Sequence, residues 1–130
     1  MLQVAGVHKH FTGPNGRVTA LDNVSLQVQP GEFLAVQGAS GCGKTTLLMV
    51  LGALLRPDAG EVRIDGRNPY QLSNEARCRF RAEQIGFVFQ EFYLVPYLSV
   101  LENVMTPSLA RPRADAADRA HELLRQFHME

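Results

Sequence analysis

The chain has too few cysteines to be a disulfide scaffold. Cys42 and Cys78 are the only two in 130 residues, which sets aside the stapled, loop-rich class of small secreted domain and fits a reducing compartment. It also lacks an excess of either charge. Thirteen Lys and Arg balance thirteen Asp and Glu, so no global field draws it to nucleic acid or to an anionic membrane surface. The opening MLQVAGVHKHF has no apolar core of the kind a signal peptide needs. The longest apolar run, Leu47–Leu55, is nine residues, whereas about 20 are needed to span a bilayer. Any membrane role therefore runs through a partner. No internal repeat and no low-complexity segment interrupts the chain. What is left has the length and the 45% hydrophobic content of one ordinary globular domain.

The most informative stretch is FLAVQGASGCGKTTLLMVLGALL, Phe33 to Leu55. It reads as a buried strand over Phe33–Gln37, a glycine-rich turn over Gly38–Gly43, and an apolar helix starting near Lys44. The turn matches G-x-x-x-x-G-K-[ST] at Gly38, Gly43, Lys44 and Thr45, the phosphate-binding P-loop, with the strand before and helix after that the motif requires. Polyphosphate needs many donors at close range. Gly38, Gly41 and Gly43 free the backbone to turn successive N–H groups inward. The helix that follows aims its partial positive charge at the same spot. Lys44 adds a full charge near the β- and γ-phosphates, and the Thr45 hydroxyl suits Mg²⁺. A plain glycine turn is the alternative, but the pattern arises by chance at roughly one position in 10⁴ to 10⁵ at ordinary residue frequencies.

The rest of the chain supplies a setting for this loop. Leu2–Val7 has strand character, and Thr12–Arg17 carries the turn residues Gly13, Pro14, Asn15 and Gly16, which predicts a hairpin returning through Val18–Leu21. Val24, Leu26 and Val28 alternate with polar residues as a half-buried strand, and Pro30-Gly31 turns into Phe33. Leu47, Leu48, Met49, Val50, Leu51, Leu54 and Leu55 make the helix after the loop apolar nearly all round, which predicts burial on several sides. Breakers at Arg56–Gly60 end it, and Glu61–Asp65 alternates as an edge strand. Ser73 caps a helix over about Asn74–Ala82, whose Arg77, Arg79 and Arg81 suit a solvated face better than a phosphate site because Glu75 and Glu83 flank them. Ile85–Phe89 reads as a second buried strand ending at Gln90. An apolar loop, Phe92–Leu98, follows. Ser99 and Glu102 form a capping box for a short helix to about Met105, Pro107 stops it, and a last helix runs over about Arg113–His128 with Ala117, Ala120, Leu123, Leu124 and Phe127 on one face.

Three of these segments, in this order, resemble the front of an ATP-binding-cassette (ABC) transporter ATPase. VTALDNVSLQVQPGEFLAVQGASGCGKTTLL is similar to the family's run from its antiparallel strand into the Walker A loop, PDAGEVRIDG to the strand placed after that helix, and IGFVFQEFYLVPYLSVLENV to the Q-loop and the opening of the helical subdomain. The last is closest to the branch of lipoprotein-releasing, macrolide-exporting and cell-division ATPases. The resemblance implies an α/β P-loop NTPase core, truncated, with an N-terminal antiparallel β-subdomain (1–32), a P-loop core up to the Q-loop (33–90) and the start of a helical subdomain (91–130).

It also implies roles. ATP and Mg²⁺ are the expected cofactors. Gly38, Ala39, Ser40, Gly41, Cys42, Gly43, Lys44, Thr45 and Thr46 would carry the phosphates, with Cys42 at a variable position of the loop. Gln90 would contact Mg²⁺ and the attacking water, so Lys44 and Gln90 are the catalytic candidates and Thr45 and Gln90 the metal ligands. Phe11 falls where the family keeps an aromatic that stacks on adenine; a residue of the hairpin core is the alternative. His8 and His10 beside it read as solvated or structural. Bulky residues of Phe92–Leu98, if exposed, would dock a transmembrane permease subunit; burial against the last helix is the alternative.

The resemblance further implies pairing with a second ATPase subunit in the full-length protein, no nucleic-acid partner, and a place on the cytoplasmic face of the cell membrane. No LSGGQ-like signature, no Walker B strand and no switch histidine occurs in the 130 residues, so the chain reads as the N-terminal part of an ABC ATPase that binds ATP but hydrolyses little alone. A non-catalytic nucleotide-binding module, and another P-loop NTPase or kinase using Glu91 as its acid, remain open at this point.

Overall fold

A computed structural model describes all residues except Asn15, Arg111 and Glu130. The chain packs as two units, Met1–Arg77 and Cys78–Glu130. In the first, β1 (Leu2–Gly13) and β2 (Gly16–Val28) form the expected hairpin, and the middle of its turn, Asn15, lies outside the described residues. β3 (Ala59–Ile64) adds antiparallel to the other side of β1, giving the order β2-β1-β3. The two strands expected within 18–29 are one continuous β2. Helix α1 (Lys44–Leu51) begins where the motif places it. Val4, Val7, Leu21, Leu47, Val50 and Val62 form the core of this unit, each buried aliphatic side chain contributing about 1.5–3 kcal/mol.

Two polar ties and one close backbone approach fix elements that apolar burial alone leaves free to slide. The Tyr70 hydroxyl lies 2.5 Å from the Val50 carbonyl and 2.7 Å from that of Leu55. It thereby ties one carbonyl in the last turn of α1, which also accepts the Ala53 N–H, to one in the segment that follows the helix. Gly60 passes so close to β1 that a Cβ there would lie 2.2 Å from the Gly6 carbonyl oxygen, and its φ of +85° already favours glycine. Asp58 closes the same corner, where the β1–β3 register shifts between Ala5 and His8. Its N–H donates to the His8 carbonyl at 2.9 Å, and its carboxylate accepts from Lys9 Nζ at 2.8 Å and from the His10 N–H at 2.6 Å.

Two expected buried strands are not strands. Phe33–Gln37 and Ile85–Phe89 carry no ladder pairing among the described residues. Phe33 is 92% exposed and Val88 fully so. A central strand is buried only by neighbours on its edges and faces, and neither segment has them here. Helix α1 is likewise less enclosed than its composition predicts: Leu47 and Val50 are buried, but Leu48 is 56% exposed.

The second unit comprises α3 (Val100–Met105), α4 (Pro107–Ala110), α5 (Ala116–Gln126) and the loop before them; the division between units falls inside α2 (Asn74–Gln84). The Ser99 Oγ accepts the Glu102 N–H while the Glu102 carboxylate accepts the Ser99 N–H, the expected capping box. Pro107 does not merely stop a helix; it opens α4, at the position where its missing N–H costs nothing. Helix α5 starts at Ala116 rather than near Arg113, because Arg113 grips the Asp115 carboxylate at 2.9 and 2.7 Å and the N-cap side chain makes no cap bond. Ala120 and Leu124 are buried, whereas Phe127, expected on the same face, is 71% exposed. Asn103 stitches the end of the apolar loop to α3. Its Oδ1 accepts the Val95 N–H at 2.8 Å, and its Nδ2 donates to the carbonyls of Val95, Leu98 and Ser99.

Two outcomes follow from these ties. The Lys9 hydrogen bond first, and the His10 N–H second, hold the Asp58 carboxyl below its ordinary value of 3.8. A depressed carboxyl stabilises the fold at every pH above 3.8 and stops doing so as pH falls from 3.8 through its lower folded value. Thermal melts from about pH 5 down to about pH 2 should therefore show Asp58→Asn less stable than the parent at the upper end and less sensitive to acid across the range; parallel curves would contradict the tie. Asn103→Ala should lower the stability of the second unit by about 1–3 kcal/mol, since it strands half-buried backbone groups, read by urea denaturation under far-UV circular dichroism.

Candidate functional site

The phosphate loop is built on a defect in the hairpin. Lys9 pairs with Leu21 and His10 with Thr19, so Ala20 is an extra residue in β2 with no partner in the register. Such a bulge takes a carbonyl out of the ladder, and the Ala20 carbonyl faces Gly43. A Cβ on Gly43 would lie 2.3 Å from that oxygen, and Gly43 has φ of +96°. Only glycine permits both the approach and the conformation. Gly43 is also the N-cap of α1 and has no side chain to cap it, and the first turn contains no acidic residue. The first turn of α1 thus brings no carboxylate of its own to the helix's positive end, the arrangement that suits an anion.

Lys44 spans the mouth of the loop. Its Nζ donates to the Gly38 carbonyl at 2.9 Å and to that of Ala39 at 2.7 Å, and it lies 3.6 Å from the Cys42 Sγ. The loop closes with a bond from the Cys42 N–H to the Ala39 carbonyl. Ala39, Ser40, Gly41, Cys42 and Thr45 are exposed and Thr46 is half-buried. A cleft of about 370 Å³ opens beside the loop, lined among others by Thr19, Asp22, Gln37, Cys42, Lys44 and Leu47. Sequence reasoning did not identify Thr19, Ala20 or Asp22 as part of it. Ala20 acts through its main-chain oxygen, which no side-chain motif announces.

Phe11 stands at the far end of β1, paired with Val18 and therefore one register position from Thr19 on the cleft wall. Its ring is 44% exposed and outside the hairpin core. Lys9 Nζ lies 5.8 Å from its centroid. The rings of His8 and His10 stack 6.4 Å apart. His8 Nδ1 faces the Asn23 N–H, and His10 Nδ1 faces the Thr19 hydroxyl at 3.1 Å, so both have structural partners. Among the described residues no group of three or more His, Cys, Asp or Glu is placed to hold a metal ion.

Gln90 belongs to the second unit. It is exposed, at the bend after Ile85–Phe89. Phe89 stacks on Phe87 at 5.3 Å and meets Tyr93 edge-on at 5.1 Å, so the residues flanking Gln90 form a small aromatic cluster. The loop beyond it divides in two. Phe92, Tyr93 and Tyr97 are exposed, Tyr97 to 87%. Leu94, Val95, Pro96 and Leu98 line a groove of about 500 Å³ together with residues of α3 and α5, including Leu123 and Leu124. The loop is thus exposed at Phe92, Tyr93 and Tyr97 and turned toward α3 and α5 at Val95 and Leu98, which are half-buried.

Comparison with known proteins adds the wider context. Residues 21–130 match the ABC transporter family. The chain is 43% identical over 126 residues to the lipoprotein-releasing system ATP-binding protein LolD 1 of Rhodopirellula baltica, covering 95% of this chain and 55% of that protein. It is 40% identical over 126 residues to the macrolide export ATP-binding/permease protein MacB of Sodalis glossinidius, covering 95% of this chain and 19% of that one. Among solved structures, the ATP-binding cassette MJ0796, in a dimeric post-hydrolysis state bound to ADP and Pi, superimposes with a TM-score of 0.89 at 36% identity over 100% of this chain and 58% of its own. The chain thus spans little more than half the length of the LolD protein and of the solved cassette. With a phosphate loop seated on an antiparallel hairpin, the fold of a solved cassette and a family match running from residue 21 to residue 130, the chain belongs to the ABC transporter family.

Proposed function

We propose that the chain binds MgATP as the ATP-binding part of an ABC transporter cassette, whose ATP hydrolysis drives transport through a separate transmembrane subunit. The observation that carries this reading is the Lys44 ammonium, held at 2.7–2.9 Å across the loop mouth above an uncapped α1 N-terminus. Both carbonyls that hold it are exposed and serve as placeholders, which the more strongly charged phosphate oxygens displace. The backbone of Gly38–Thr46 and Lys44 bind and orient the polyphosphate. Thr45 offers its hydroxyl to Mg²⁺. That cation is bound through phosphate oxygens, water and one or two protein oxygens rather than through an all-protein cage, which fits the donor set of this loop. Gln90 is assigned the Q-loop role, toward Mg²⁺ and the attacking water, by the sequence on both sides of it. Phe11, 44% exposed and opposite Val18 in the hairpin, serves as the platform for adenine.

The exposed residues of Phe92–Leu98 supply the docking surface for the permease, and a second ATPase subunit completes the working assembly. The solved relative is itself dimeric. No helix among the described residues is long and apolar enough to cross a membrane, so attachment at the cytoplasmic face runs through that permease. The three-part division into 1–32, 33–90 and 91–130 is proposed on the same basis. Signature, Walker B and switch-histidine residues do not occur in the 130 residues, and phosphoryl transfer depends on positioned charge from each of them. These residues alone therefore bind ATP without appreciable turnover.

Titration of the 130-residue chain with MgATP by calorimetry tests the reading. Lys44→Ala should weaken binding about ten- to a hundredfold, the worth of a charged hydrogen-bonding group, and phosphate release should stay at background. Affinity unchanged in Lys44→Ala would overturn the binding site, and steady-state hydrolysis would overturn the division between binding and turnover. Gly43→Ala should abolish binding and lower the melting temperature together, because the added methyl group meets the Ala20 carbonyl.

A further inference from the structure

The strongest polar cluster outside the phosphate loop is the one around Asp58, and it leads to Phe11. Lys9 is a lysine in an unusual position: its side chain is only 13% exposed, although Phe11, two residues on, is 44% exposed. The Asp58 carboxylate holds its ammonium at 2.8 Å and is itself fixed by the His10 N–H at 2.6 Å. That places the charge 5.8 Å from the centroid of the Phe11 ring, within the range at which a cation attracts an aromatic face. A half-exposed phenylalanine at a strand end is otherwise free to change rotamer.

We infer that Lys9, anchored by Asp58, is a positioning residue that holds the Phe11 ring as a one-sided platform for the adenine base. This rests on the proposed role of Phe11 and adds a cause for its orientation. The ammonium covers one side of the ring and leaves a single face for a base. Asp58 lies in the turn before β3, far from Phe11 in sequence, so a residue with no contact to nucleotide sets the platform. The Lys9–Asp58 pair is close to neutral as a unit, so it acts on the base rather than as an additional phosphate-binding charge.

Adenine and phosphate contributions separate when affinities for MgATP and for inorganic tripolyphosphate are measured on the same 130-residue variants. Lys9→Met and Asp58→Asn should each lower the ATP-to-tripolyphosphate affinity ratio about two- to fivefold, the scale of one exposed cation–aromatic contact, with tripolyphosphate binding unchanged. The double variant Lys9→Met/Asp58→Asn removes any penalty of an unpaired carboxylate and should match Lys9→Met. Lys9→Arg, which can keep both the ion pair and the ring contact, should restore the ratio. In a Phe11→Ala background Lys9→Met should have no further effect on the ratio.

If Phe11→Ala lowers the ratio and Lys9→Met does not, the positioning role is wrong while the platform stands. If Phe11→Ala leaves the ratio unchanged, the platform reading itself fails. A loss of tripolyphosphate affinity in Lys9→Met would make Lys9 a phosphate-binding charge and overturn the inference.

Discussion

The close approach of Gly43 to the carbonyl of Ala20 is the constraint on which the site depends. It joins two things that have separate origins in the sequence. One is the phosphate loop, local and motif-like. The other is a β-hairpin whose register breaks at Ala20. Without the bulge the carbonyl would belong to the ladder, and without glycine the loop would be pushed off the hairpin by a methyl group. The contact therefore sets the distance from the cradle to the strand pair that carries Thr19 and Phe11. Leu47 and Leu21, buried beside it, seal the joint with apolar area.

A second layer of order comes from polar groups tying strand to strand and helix to loop. Tyr70 closes the end of α1, Asp58 closes the β1–β3 corner, and Asn103 closes the loop onto α3. Each is a side chain serving several main-chain or charged groups at once. Such groups specify position more than they add net stability, since a hydrogen bond made in the fold replaces one made with water. Their effect is to choose one arrangement among the several that apolar burial would tolerate. The electrostatics follow the same division. The site end of α1 is left uncapped and positive, while in its last turn the Val50 carbonyl accepts the Tyr70 hydroxyl.

Local chemistry was legible in the sequence, and partnership at a distance was not. The phosphate loop, the hairpin, β3 and the Ser99–Glu102 capping box are written within a few residues of one another, and all are found. Phe33–Gln37 and Ile85–Phe89 have the composition of buried strands but not the placement, because an apolar run records what a segment requires, not whether anything supplies it. Tyr70 and Asn103 went unremarked because a tyrosine after a proline, or an asparagine within an apolar helix, has no signature for the carbonyls it will meet. Helix α5 is shorter than its periodicity predicts because Asp115 can either cap a helix or pair with Arg113, and the ion pair prevails. Of the candidate site, the cradle residues were named from spacing, whereas the wall that seats them is a main-chain oxygen.

The exposed apolar segments bear on how binding and turnover divide. Phe33–Gln37 leads directly into the phosphate loop, and Ile85–Phe89 leads directly into Gln90. Each is unpaired among the described residues and carries exposed bulky side chains. The loop geometry does not wait for them: Gly43 on Ala20, Lys44 on the loop carbonyls and α1 behind it are all set by the hairpin side. The proposed phosphate grip thus rests on contacts within Met1–Arg77. What a catalytic step needs beyond grip is an ordered acceptor for the attacking water, and the glutamine proposed for that task follows a segment with no ladder to hold it. A polar side chain after such a segment has no ladder to position it, and catalysis by positioning loses its effect when the positioned group is off by about 1 Å.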